Sequence, residues 1–262
     1  MPFKSNKDQM GRDLSAPFPP KRIISLVPSQ TELLGHLGLD QEVVGITKFC
    51  LHPDSWRKSK AVIGGTKYFN FDVIHSLRPD LIIGNKEENY QEGIEKLGAH
   101  YPVWLSDVTT LKQALGMIQG IAELTGKEVE GINLINELRK SLSEINPFSG
   151  QRVLYLIWRD PWMVAASGTF IHEMLAHAGF KNCLSNRERY PKLTSEDLGR
   201  ISPDVIFLSS EPYPFKEKHI NEIRSLCPNA KVVLVDGEMF SWYGSRLLHF
   251  TQYIEKLRTQ LA

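Results

Sequence analysis

Short apolar runs alternate along this chain with stretches whose apolar residues recur at helical spacing. Residues 22–27 form one such run, stopped by Pro28, as a buried parallel strand is. Ser29 stands three residues before Glu32, the capping-box spacing. This predicts a helix bearing Leu33, Leu34 and Leu37, ended by Gly38, with Glu32 facing its own cap. Residues 43–46, 80–83 and 103–105 predict further strands, and 72–77, behind Asn70, and 92–97 predict helices between them. Such alternation indicates an α/β lobe with a mainly parallel sheet.

From residue 109 the period changes. Leu111, Leu115, Ile118, Ile121 and Ala122 fit one helix, and Ile132, Ile135, Leu138, Leu142 and Ile145 fit a second. At 1.5 Å per residue the second helix spans roughly 28 Å, the width of a small domain. Strands then resume at 152–157, 204–208 and 231–235, with helices at 170–178, 195–201, 217–226 and 247–261. Residues 76–83 and 200–207 echo each other, each a helix end, a Pro-Asp turn and a strand. The predicted fold is α/β: two Rossmann-like lobes with mainly parallel sheets, joined by a long backbone helix. Its parts are an extended N-terminal lead-in (1–21), an N-terminal lobe (22–126), the linking helix (127–146) and a C-terminal lobe (147–262). A ligand cleft between the lobes is expected, and one continuous sheet is the competing arrangement.

Composition narrows the function. The 262 residues are 42% hydrophobic, enough for a real core, and 31 Lys and Arg balance 30 Asp and Glu. That balance gives no electrostatic reason to expect nucleic acid or an anionic membrane as partner. Cys50, Cys183 and Cys227 are too few for a disulfide framework. The first 20 residues are charged and lack the apolar stretch of a secretory signal. They predict a cytoplasmic chain as written, or a periplasmic or membrane-anchored one where a leader has been omitted. Phosphate-loop, nucleophile-elbow and H-E-x-x-H motifs are lacking, so a non-enzyme is expected.

Loops that follow strands carry the unusual residues, and ligands of open α/β sheets bind at that edge. After the second strand come Lys48, Phe49, Cys50 and His52. A thiol and an imidazole two apart can serve a metal or a chelate, although an apolar Cys50 and a turn-forming His52 are the favoured reading. Thr66 and Tyr68 lie in the turn at 64–69, Trp158, Arg159 and Trp162 follow the first strand of the second half, and Trp242, Tyr243 and Arg246 follow its last. The aromatics predict flat apolar walls, with Lys48, Arg159 and Arg246 pairing ligand carboxylates. This suits a large planar ligand with acidic substituents, such as a tetrapyrrole or an iron chelate. Glu211 opens a rigid turn held by Pro212 and Pro214 and predicted to face solvent.

Residues 24–33, 77–83, the helical linker and 201–205, in that order, resemble the helical-backbone substrate-binding proteins of bacterial ABC importers, and among them the vitamin B12 binders. The likeness runs from about residue 22 to 261. It implies small hinge movement, no covalent chemistry and no obligatory cofactor. Cobalamin, or another metal chelate such as haem or a ferric siderophore, is the implied small-molecule cargo, ABC permease subunits the implied partners, and a monomer the implied state. Phe49 matches an aromatic pocket position, Thr66 and Asn85 stand where the B12 binders present tryptophans, and Glu238 and Trp242 fall near their acidic and basic pocket pair. Permease docking falls to Glu92, beside Gln91, and to Glu211. Two other readings compete: a tetrapyrrole-handling enzyme or chelatase using His52 and Glu238, and a receptor for bare zinc or manganese, which needs about four convergent ligands.

Overall fold

The alternating strands and helices build two main sheets, one of five strands and one of six. The computed structural model describes residues 2–261, which divide into two compact units. The first takes the chain up to Val108, Lys112–Arg139 and Tyr243–Arg246; the second takes Thr109–Leu111, Lys140–Trp242 and the chain from Leu247 on.

The first unit opens with an antiparallel ribbon, β1 (Phe3–Lys7) and β2 (Asp13–Pro17), with Phe3 opposite Pro17. The lead-in is thus extended backbone that pairs on itself. The buried Asp8 carboxylate accepts the N–H groups of Met10 and Arg12, both at 2.9 Å, and pairs with the Arg12 guanidinium at 2.7 Å, so the turn closes on itself. The chain continues through β3 (Ile23–Ser25), α1 (Pro28–His36), β4 (Val43–Ile46), α2 (Trp56–Ser59), β5 (Ala61–Val62), β6 (Gly64–Gly65), β7 (Tyr68–Phe69) and α3 (Phe71–Leu77). It then forms β8 (Leu81–Asn85), α4 (Gln91–Gly98), β9 (Val103–Ser106), α5 (Leu111–Thr125) and α6 (Glu128–Ser143). A five-stranded, wholly parallel sheet has the order β5-β4-β3-β8-β9, while β6 and β7 make a separate small hairpin. Every residue of β3, β8 and β9 is buried, as strands covered on both faces must be.

The predicted capping box does not form. Helix α1 begins at Pro28, whose ring fixes the first turn and whose missing N–H costs nothing there, and Ser29 lies inside the helix. The Asn70 cap is present, its side chain accepting the Val73 N–H at 3.2 Å. Helices α5 and α6 approach closely at Gly131, where an added Cβ would lie 2.5 Å from the Ala122 Cβ.

The second unit comprises β10 (Arg152–Trp158), β11 (Trp162–Val164), α7 (Phe170–His177), β12 (Lys181–Asn182), β13 (Lys192–Leu193), α8 (Ser195–Ile201), β14 (Val205–Ser209), α9 (Glu217–Leu226) and β15 (Lys231–Val235). Helix α10 (Gly237–Ser241), a 3₁₀ turn over Ser245–His249 and α11 (Phe250–Leu261) complete the chain, so the final helix starts three residues later than its periodicity suggests. Its sheet runs β13-β11-β10-β14-β15, with β12 also on β10. β10, β12, β14 and β15 pair in parallel, and β11 joins through antiparallel pairing. Tyr155, Phe207, Phe240 and Phe250 fill one side of this sheet edge to face. Thr194 and Asp197 form a reciprocal capping box on α8. Both units are thus α/β with mainly parallel strands, and α6 carries the chain from one to the other.

Candidate ligand-binding edges

In the first unit the carboxyl edge of the sheet is built by the turns after β4 and β8. After β4, Thr47 and Cys50 turn inward while Lys48 and Phe49 turn outward. Phe49 is 51% exposed, with the Lys48 ammonium 5.0 Å from its ring centre, and Tyr68, on the β6–β7 hairpin, is 76% exposed. Thr66 and His52 are half-buried. Cys50 is fully enclosed and its thiol contacts the Thr31 and Thr47 hydroxyls at 3.0 and 3.2 Å. Burial pushes that thiol above its ordinary value despite those contacts. Cys50 is therefore a core residue, which sets aside its role as a metal ligand. Among the described residues no group of three or more His, Cys, Asp or Glu is placed to hold a metal ion.

After β8 the buried Asn85 side chain accepts the N–H groups of Glu87 and Glu88, at 2.8 and 3.0 Å, and fixes the turn that displays them. The segment Tyr243–Arg246 is tied to this same unit. Tyr243, buried, donates its hydroxyl to Glu88 at 2.9 Å. Arg246 lies 2.7 Å from one Glu32 oxygen and donates Nε–H to the other at 3.1 Å. Glu32 thus serves Arg246 and not its own helix cap.

In the second unit, Trp158 ends β10, 39% exposed and edge-on to Tyr213 at 5.6 Å. Arg159, next in the chain, holds Glu222 of α9 in a fork, with Nε–Oε2 at 2.8 Å and Nη2–Oε1 at 2.7 Å. The expectation that Arg159 and Arg246 take ligand carboxylates therefore meets two arginines that each hold a carboxylate of this chain. Trp162 is 7% exposed and packs into the core, its indole N–H reaching the Ser195 hydroxyl at 3.3 Å beside a shallow groove.

Glu211 corrects the picture of an outward docking residue. Its side chain turns back under the loop, where Oε1 accepts the Ser241 hydroxyl at 2.7 Å and the Trp242 indole N–H at 2.9 Å. Burial raises its pKa above the ordinary carboxylate range, outweighing those bonds, and the charges of Glu238 and Asp236 add to the rise. Trp242 is consequently buried, and Glu238 is half-buried in the first turn of α10. Gly237 permits this closure, since an added Cβ would meet the Ser209 hydroxyl at 2.5 Å and the Glu211 Cγ at 2.6 Å. Glu222, Glu88 and Tyr213 carry no local sequence signal. Only the folded chain brings them to Arg159, Tyr243 and Trp158.

Residues 23–225 match the model of a family described as periplasmic binding protein. The chain belongs to that family. The resemblance read in the ordered segments from 24–33 to 201–205 is to a real relationship. An uncharacterized ABC transporter substrate-binding lipoprotein of Bacillus subtilis is 26% identical over 211 residues, covering 76% of this chain and 67% of its own. A vitamin B12-binding protein of Vibrio cholerae is 27% identical over 202 residues, covering 75% and 73%. The solved periplasmic heme-binding protein of Roseiflexus sp. RS-1 shares the fold, with a TM-score of 0.77 at 21% identity over 92% of this chain and 97% of that one. These relatives, a lipoprotein and periplasmic proteins, give no support to the cytoplasmic reading. No helix among the described residues is long and apolar enough to cross a membrane.

Proposed function

We propose that this chain is the substrate-binding protein of an ABC importer and carries a metal chelate, cobalamin first and haem or a ferric siderophore second, without altering it. The observation that carries this reading is the set of large aromatic side chains left exposed at the ends of strands, Phe49 and Tyr68 in the first unit and Trp158 in the second. Exposed rings suit a flat apolar ligand, whose burial contributes roughly 25 cal/mol per Å², and Phe49 and Trp158 follow or end strands of the two main sheets while Tyr68 stands on the β6–β7 hairpin. The family of binding proteins, and a relative named for vitamin B12, support the cargo class. A chain of this kind works outside the cytoplasmic membrane and hands its cargo to a permease. Glu92, exposed in the first turn of α4, is the acidic group proposed to meet that partner.

Titration of the protein with cyanocobalamin, followed by quenching of tryptophan fluorescence, tests the reading. Saturable quenching is expected, and Trp158→Ala is expected to weaken binding by about tenfold, from roughly 1.5 kcal/mol of lost ring contact, with an unchanged circular dichroism spectrum. Absence of saturation with cyanocobalamin, haemin and a ferric siderophore alike would contradict it.

A further inference from the structure

Three polar rings of the first unit gather at the edge of its sheet opposite the candidate turns. His75 stands in the last turn of α3, just ahead of β8, and His100 and Tyr101 stand between α4 and β9. Strands β8 and β9 run parallel, with Ile82 beside Val103, so the segments that lead into them meet at the amino edge. The turns that carry Lys48, Phe49 and Glu88 follow strands and lie at the carboxyl edge. The His75 Nδ1 lies 2.6 Å from the Tyr101 hydroxyl. The His75 and His100 ring centres are 5.7 Å apart with the planes at 84°, and Tyr101 packs against both rings, at 5.6 and 6.3 Å. Backbone anchors His100 and Tyr101, whose N–H groups both donate to the Leu97 carbonyl, at 3.0 and 2.9 Å. Both imidazoles are exposed, and Tyr101 is half-buried.

We propose that His75 and His100 form a surface site for a late first-row transition-metal ion, Cu²⁺ above all, with Tyr101 orienting His75. The site is independent of any cargo held at the other edge of the sheet. An ion bonded at about 2.0 Å to one nitrogen of each ring sets the ring centres roughly 4.5–6 Å apart for bond angles from about 90° to about 150°. The observed 5.7 Å falls inside that span. The χ2 torsion of an exposed histidine is broad, so the two rings can aim their nitrogens at one point. With Nδ1–H donated to the Tyr101 oxygen, His75 keeps the Nε2 lone pair for the ion, the arrangement that fixes the tautomer of metal-bound histidines. Tyr101 is thus a positioning residue. Among the described residues no third His, Cys, Asp or Glu is placed to join the pair, so water completes the coordination. Of the divalent ions that favour imidazole, Cu²⁺ is the one held most tightly by two nitrogens.

Titration of the full chain with Cu²⁺, against free glycine as a competing chelator and followed by electron paramagnetic resonance, tests the proposal. The first equivalent is expected to bind in the micromolar range or tighter, with hyperfine splitting from two imidazole nitrogens. His75→Ala and His100→Ala are each expected to weaken it by about a hundredfold and to leave one imidazole nitrogen in the spectrum. His36→Ala, at the exposed end of α1, should leave it unchanged. Tyr101→Phe should weaken it by about tenfold with both nitrogens retained, a pattern that a merely structural role would not give. A second readout needs no variant to fold: in the unmodified protein one equivalent of Cu²⁺ should block carboethoxylation of His75 and His100 by diethyl pyrocarbonate while His36 still reacts. No binding in the micromolar range, a first equivalent indifferent to both histidine substitutions, or protection of His75 and His100 no greater than that of His36 overturns the proposal. None of these outcomes bears on the carriage of a chelate, which is tested separately.

Discussion

Glu211 is a carboxyl group deprived of most of its water, and two donors do not fully compensate it. Because its folded-state pKa is raised above the unfolded value, the folded chain binds this proton more tightly than the unfolded chain. Stability from that proton is present at low pH and is lost as pH rises through the folded-state value. Glu211→Gln keeps an oxygen for both donors and removes the ionisation. Urea unfolding should therefore show the variant gaining on the parent over the interval in which pH rises out of the ordinary carboxylate range. A constant difference across that interval would show that the carboxyl is not held in this way. The thiols give a second residue-scale outcome. Burial raises Cys50 and pushes Cys183 up to about 11, so both are protonated at neutral pH. A disulfide reagent at neutral pH should modify the native chain far more slowly than the unfolded one; equal rates would place these thiols in water. Local sequence suggested the opposite fate for Glu211, because prolines at 212 and 214 read as a solvent-facing turn. Its indole partner lies 31 residues on, beyond the reach of any local pattern.

Elements with a long period or a covered strand were legible in the chain, as β8, β14, α5 and α6 show. Their apolar residues are determined by which face is buried, a property local spacing records. The two-residue strands and the N-terminal ribbon were not, because they depend on partners far away. The Gln9 N–H donates to the Leu105 carbonyl at 3.1 Å, and the Leu105 N–H reaches the Asp8 carboxylate at 3.3 Å, so the ribbon's turn occupies part of the outer edge of β9. That edge would otherwise be open to pairing. Asp8→Ala removes the acceptor shared by Met10, Arg12 and Leu105 and should cost about 3 kcal/mol in unfolding free energy. At the α5–α6 approach, Gly131→Ala would press a methyl group to 2.5 Å from the Ala122 Cβ. The helices would have to part, at a cost of about 1–3 kcal/mol seen as a lower Tm. An unchanged Tm would mean that this contact is looser than the backbone indicates.

For the whole molecule, the repeated strand–helix alternation and the ordered family segments made two α/β units readable before any coordinates. The candidate site was only partly so. Of the aromatics picked out by position after a strand, Phe49, Tyr68 and Trp158 are the exposed ones, Tyr68 on the antiparallel β6–β7 hairpin. Trp162 and Glu211 turn inward through tertiary partners that position after a strand does not record, and Cys50 is the apolar residue that was the favoured reading of its turn. Position after a strand also missed Glu222 and Glu32, which pair with Arg159 and Arg246. The function proposed for the molecule is reversible carriage of an unmodified chelate. Equilibrium dialysis against cyanocobalamin, followed by denaturation and mass analysis of the released corrinoid, tests it most directly. Saturable uptake with the corrinoid recovered at its original mass and spectrum is the predicted result; a chemically altered corrinoid, or no saturable uptake of it, of haemin or of a ferric siderophore, would contradict the account.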